Sequence, residues 1–278
     1  MPLLSAVLRL AARIPLAALH FFGIGLGWLV YWASPTYRRR LRENLRAAGY
    51  GDACIRRAAI AEAGKGLAEL PRIWFGRDDP DALVHCGDWA VAEAALAEGR
   101  GLIFLTPHLG CFEISALYGA RRLPLTVLYR PPKRAALEPL MLAARARTSA
   151  RLAPATLAGV RLLTKALRRG EAIGILPDQA PGAGEGAWAD FFGRPAYTMT
   201  LAGRLQQSTG AAVVMAFAER LPGGAGYQLQ LKRLGGDALL PAQLNRAVED
   251  AIRLQPGQYY WGYNRYKAPE GAASRITP

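Results

Sequence analysis

Gly101-Leu102-Ile103-Phe104-Leu105-Thr106-Pro107-His108-Leu109-Gly110-Cys111-Phe112-Glu113 is the stretch on which the reading of this chain turns. Residues 101–106 form a short apolar run bounded by turn formers, the pattern of a strand buried on both faces. A helix is expected from about Gly110. His108 then stands where a strand ends and a helix begins, and in open α/β sheets ligand and catalytic groups collect at the carboxyl ends of strands. Along one regular helix, His108 and Glu113 would lie about 140° apart on the wheel and diverge. With His108 in the entering turn and Glu113 in the first helical turns, the two can meet. A carboxylate on one imidazole nitrogen fixes the tautomer and leaves the other nitrogen as a base near neutral pH. Such a base can take a proton from an alcohol attacking a thioester, with backbone N–H groups at the helix start available to the oxyanion. A histidine that merely satisfies backbone groups at a strand end is the competing reading.

Working outward, strands alternate with helices. Helical patterns cover 52–75 and 89–98, with a loop at 76–81. After the opening stretch come a strand at 123–130, helices at 135–150 and 157–169, a strand at 171–177 and a Gly-rich loop at 181–187. A helix at 199–209, strands at 211–219 and 227–234 and a helix at 241–254 complete the chain. The alternation predicts an α/β fold with a mostly parallel central sheet and helices on both faces.

Upstream, 24 residues between Arg13 and Arg38 carry no formal charge when His20 is neutral. A bilayer core needs about 20 apolar residues in helix. The stretch predicts an N-terminal membrane-associated helix, and the chain is divided at 1–37, a membrane anchor, and 38–278, a catalytic domain. Gly23, Gly25, Gly27, Pro15 and Pro35 leave open whether residues 14–34 span the bilayer, form a hairpin or lie in the interface. Arg38, Arg39, Arg40, Arg42 and Arg46 come directly after the run, and by the positive-inside bias they put the remainder of the chain on the cytoplasmic side.

The chain has 278 residues, 35 of them Lys or Arg against 21 Asp or Glu, for a net charge of +14. That excess favours an acidic partner: nucleic acid, anionic lipid or an acidic carrier protein. With 51% hydrophobic residues the chain is not disordered, and three cysteines without a C-x-x-C pair argue against a disulfide scaffold or a structural zinc site. The three histidines are His20, His85 and His108, so histidine chemistry has few places to reside.

The His-x4-Glu pair after an apolar strand resembles the acceptor motif of glycerolipid and lipid A acyltransferases. Further blocks, in the same order, resemble the bacterial lipid A late acyltransferases of lauroyl and myristoyl type. They are YRPP from Tyr129, ARAR from Ala144, GEAIGILPDQ from Gly170, FFGRPA from Phe191, TGAAVV from Thr209 and PGQYYWGYNRYK from Pro256. The resemblance covers essentially the whole chain. It implies transfer of a fatty acyl chain from acyl carrier protein to a hydroxyl of a phosphorylated lipid A precursor at the cytoplasmic face of the inner membrane. It implies His108 as general base and Glu113 as its orienting partner. Arg145 and Arg147, Asp178 and Arg130 of the YRPP block are implied for substrate binding. No metal or organic cofactor is implied. Physically, Arg145 suits a phosphate, held bidentately.

Other readings remain on the residues alone. The small loop after Asp178 leaves the acceptor open, another hydroxylated lipid such as an ornithine lipid included. Cys111, three residues after His108, is a conceivable nucleophile, though its apolar neighbours suit a packed thiol. A non-catalytic acyl-lipid binder, or a nucleic-acid binder using YYWGYNRYK, is the rival of a different class; the acyltransferase reading expects no nucleic-acid partner.

Overall fold

The computed structural model describes residues 2–130, 149–236 and 238–272. Seven strands form one sheet in the order β1-β9-β8-β2-β5-β3-β4. They are β1 (Val84–His85), β2 (Leu102–Leu105), β3 (Leu125–Tyr129), β4 (Arg151–Pro154), β5 (Ala172–Ile175), β8 (Ala212–Arg220) and β9 (Tyr227–Leu234). The five strands from β8 to β4 run parallel, while β9 pairs antiparallel with β8 and β1 runs parallel to β9. The expected α/β fold with a mostly parallel sheet is the one observed.

Every residue of β2 and β5 is buried, which is why both read as unbroken apolar runs instead of alternating ones. Alternation instead sorts the two faces. Ile103, Leu105, Ile173 and Ile175 enter one core with α9 (Leu157–Arg168), α10 (Leu201–Thr209) and α11 (Pro241–Leu254). Leu102, Phe104 and Ala172 enter the other, beneath α7 (Trp89–Ala97) and α8 (Phe112–Arg122).

Two differences from the sequence reading have physical causes. Residues 186–199 form a separate antiparallel hairpin, β6 (Gly186–Phe191) and β7 (Arg194–Met199), where the loop was expected to run to 187. Its turn is Phe192-Gly193, both at positive φ (48° and 69°), the backbone of a tight two-residue hairpin turn. Phenylalanine is an unusual first residue there, so the signal is weak. Of the helix expected at 135–150, residues 135–148 lie outside the described residues; 149–150 are not helical and lead into β4.

The apolar N-terminal stretch folds as α2 (Leu16–Ala33), after α1 (Pro2–Ala11) and before α3 (Pro35–Ala47). It is long and apolar enough to cross a membrane. One stripe of α2, Leu16, Leu19, His20, Gly23, Gly27 and Tyr31, is buried, the i, i+4 face of a helix. It crosses α4 (Ala53–Ala68) at glycines: a Cβ on Gly64 would lie 2.0 Å from the Gly23 carbonyl oxygen, and one on Gly27 2.2 Å from that of Ile60. The opposite stripe exposes Phe21, Phe22, Leu29 and Trp32.

Candidate active site

The site grows out of one pairing in the sheet. Leu105 of β2 lies opposite Ile175 of β5, and the Thr106 N–H donates to the Ile175 carbonyl (2.9 Å). Each parallel chain then runs three residues beyond its strand, bringing His108 beside Asp178. The His108 backbone N–H donates to Asp178 Oδ2 (3.0 Å), and the ring Nδ1 lies 2.8 Å from Oδ1. With the proton on Nδ1 donated to this carboxylate, Nε2 carries the free lone pair and accepts from the Gln179 amide at 3.1 Å. The ring rests against Phe112, with centroids 4.8 Å apart.

Burial alone would push the His108 imidazole down, but the charge and hydrogen bond of Asp178, with the charge of Glu113, outweigh it and hold its pKa above 6.5. Asp178 mirrors this: burial works against its charged form, yet His108 keeps its pKa below the usual aspartate value. Such a pair has the geometry in which a carboxylate orients an imidazole and can stabilise its protonated form.

The loop bearing His108 is braced from the C-terminal segment and from β8. The His108 carbonyl accepts from Tyr260 N–H (3.0 Å), Gly110 N–H donates to the Gln258 carbonyl (3.1 Å) and Cys111 N–H donates to the Ala218 carbonyl (2.8 Å). Tyr263 Oη accepts from Ala180 N–H (3.1 Å), two residues beyond Asp178. Tyr259 and Trp261 are buried in the core. The aromatic block that suggested single-strand stacking is thus spent largely on packing and on holding the His108 loop.

The bond expected from Glu113 to fix the His108 tautomer is made by Asp178. Glu113 sits in the first turn of α8 and lines an apolar cavity with Trp74, Trp89, Phe104 and Leu117. Arg130, just past β3, is exposed and lines the cleft that holds His108 and Gln179. Arg145 and Arg147 lie outside the described residues. Cleft and apolar cavity share Phe112, Leu128 and Leu176 as walls, so they meet beside His108. Cys111 is buried, and burial, then the charge of Glu69, holds its thiol well above the usual range, the setting of a packed thiol. Sequence reasoning missed Gln179 and Arg204. The first follows Asp178 directly and was visible in the PDQ block; the second reaches the cleft wall from α10 and has no local signal.

A buried His–carboxylate pair stands at the carboxyl ends of adjacent parallel strands of an α/β fold, in a cleft that opens beside an apolar cavity. The family profile for bacterial lipid A biosynthesis acyltransferases matches residues 2–268, and the chain belongs to that family. It is 27% identical to the lipid A biosynthesis lauroyltransferase of Escherichia coli K12, over 97% of this chain and 92% of the relative. It is 28% identical to the lipid A biosynthesis palmitoleoyltransferase of the same strain, over 96% and 91%. A lipid A biosynthesis acyltransferase of Haemophilus influenzae is 25% identical over 61% and 54%. The class of activity is acyl transfer in lipid A biosynthesis.

Proposed function

We propose that the chain transfers a fatty acyl group from an acyl carrier protein thioester to a hydroxyl of a phosphorylated lipid A precursor, at the cytoplasmic face of the inner membrane. The observation that carries the reading is the His108–Asp178 pair at the junction of cleft and apolar cavity. The acceptor hydroxyl displaces the Gln179 amide from Nε2 and gives its proton to that nitrogen as its oxygen attacks the thioester carbonyl carbon. Asp178 stabilises the imidazolium. The C–S bond then breaks, and the imidazolium returns the proton to the leaving thiolate. The acyl chain occupies the apolar cavity, and Glu113 at its wall adds negative charge that favours the imidazolium. Arg130, Arg204, Arg145 and Arg147 supply cations for the acceptor phosphates. The +14 net charge suits both an acidic carrier protein and anionic lipid.

On this reading α2 lies in the interface. Its buried stripe is used by the protein along the helix, which leaves the stripe of Phe21, Phe22, Leu29 and Trp32 for lipid. Exposed Arg39, Arg42 and Arg46 of α3 then face anionic headgroups.

The reading is tested by incubating membranes that carry the protein with lauroyl- or palmitoleoyl-loaded acyl carrier protein and a tetra-acylated lipid A precursor. A gain of one acyl mass supports it. Transfer only from acyl coenzyme A would contradict the donor, and transfer only to ornithine lipid or another hydroxylated lipid would contradict the acceptor.

A further inference from the structure

Apart from the His108–Asp178 pair, the chain buries a second charged cluster that the chemistry does not use. Glu69, at the end of α4, is 1% exposed and Arg220, at the end of β8, is 7% exposed. Arg220 Nε donates to both Glu69 oxygens (3.0 Å each) and Nη2 to Oε1 (2.7 Å). Tyr227 Oη donates to Glu69 Oε2 (3.0 Å). Arg220 Nη1 also lies 3.5 Å from Glu62 Oε2, and further arms reach α2 and the His108 loop. On one side His20 Nε2 of α2 lies 2.9 Å from Glu69 Oε2. On the other, Arg220 Nη2 donates to the carbonyl of Gly110 (2.9 Å), two residues from the catalytic histidine.

A buried ion pair is weak evidence for stability, because desolvating the charges offsets much of their attraction. What this one supplies is geometry. Gly110 has φ +61°, and a Cβ there would lie 2.0 Å from the Ala218 carbonyl oxygen. Its N–H is held by Gln258, and the side-chain amide of Gln258 also brackets the backbone of Arg220, accepting from its N–H (2.8 Å) and donating to its carbonyl (3.0 Å). The Gly110 carbonyl ties the loop to Arg220, and the Cys111 thiol beside it interacts with Glu69. Meanwhile His20 is followed directly by Phe21 and Phe22 on the exposed stripe of α2. One helix therefore offers apolar side chains to its surroundings and a buried imidazole to the chain of contacts ending at the catalytic loop.

We infer that Glu69 and Arg220 are positioning residues for the His108 loop, acting through the Gly110 carbonyl, and that His20 makes the docking of the apolar helix α2 part of that positioning. The inference rests on the acyl-transfer reading for its kinetic consequence but not for its structural one. Truncating the imidazole removes one contact to a carboxylate. Replacing Arg220 by lysine keeps the charge and loses the fork that reaches Glu69 and Gly110 together.

The test uses the full-length chain in lipid vesicles as wild type, His20→Ala, His20→Gln and Arg220→Lys. Two quantities are read: amide hydrogen exchange across residues 107–113, and kcat and KM for acyl transfer. His20→Ala and Arg220→Lys are expected to speed exchange of this segment and to lower kcat about tenfold, with KM for the acyl donor within about twofold, the scale of one lost hydrogen bond to a charged group. His20→Gln keeps an N–H donor and is expected to restore both. Wild-type exchange and kcat in His20→Ala would overturn the inference. So would a loss in kcat with unchanged exchange, or equal loss in His20→Ala and His20→Gln. A wild type without acyl transfer would sink the proposed function alone, since the exchange arm still decides the coupling.

Discussion

His108 Nδ1 and Asp178 Oδ1 stand 2.8 Å apart although 70 residues separate them in the chain. The contact follows from the parallel register that sets Leu105 against Ile175. From that pairing, equal three-residue extensions of neighbouring strands converge at the same end of the sheet.

Asp178→Asn removes the two influences of Asp178 that raise His108 and leaves the burial that lowers it. The basic form of His108 then persists to lower pH. The acidic limb of kcat/KM is expected to move down, while kcat falls by about 100-fold or more because the tautomer is no longer held. A limb that stays in place would contradict the assignment. For stability, His108 with its raised pKa contributes most below the usual histidine value, and that contribution fades as pH rises through the raised pKa. Asp178 with its lowered pKa contributes above the usual aspartate value and loses it as pH falls through the lowered one. The pair therefore stabilises the fold between these limits.

Gln179→Glu places a carboxylate on the Nε2 side, where an amide stands 3.1 Å away. The imidazolium is then favoured. The acidic limb is expected to shift upward by about one pH unit, with about tenfold less activity at neutral pH and little change in melting temperature.

Gly119 of α8 lines the apolar cavity, and a Cβ there meets the Leu125 and Trp89 side chains at ordinary contact distances, 3.7 and 4.0 Å. Gly119→Ala is expected to fold and to gain about 0.5–1 kcal/mol in helix stability. Gly119→Leu extends into the cavity and is expected to shift acyl preference by two or more carbons, on the order of 10-fold in competition between carrier-bound C10 to C16 chains. An unchanged chain-length profile would place the acyl chain elsewhere.

Phe21→Ser, Phe22→Ser and Trp32→Ser together remove much of the exposed stripe of α2 while sparing His20, Gly23 and Gly27. Vesicle affinity is expected to fall by more than about 100-fold, since burying each large apolar side chain contributes roughly 1.5–3 kcal/mol. Cysteines at Ser5 and Thr36, in a chain with Cys54 and Cys86 replaced by serine, are expected to react with an impermeant thiol reagent from the same side of the membrane. Labelling from opposite sides would show that α2 crosses it.

Much of the architecture was legible because β2 and β5, and β8 as far as Ala218, are buried and therefore apolar without interruption, and because α9 and α11 carry apolar residues at helical spacing. His108 and Asp178 were both readable as strand-end residues. Their bond was not, since it depends on the register between two distant segments. The β6–β7 hairpin was hidden by a turn with phenylalanine at positive φ and by Pro195 inside a strand. Glu69 and Arg220 had no local mark at all, because only the fold shows that these charges are buried against each other.

The most direct test is mass spectrometry of the lipid product after incubation with acyl-loaded carrier protein and tetra-acylated precursor, comparing wild type with folded His108→Ala. One added acyl mass with the wild type, and none above background with the variant, is the expected result. Acyl transfer by His108→Ala at the wild-type rate would contradict the account at its centre.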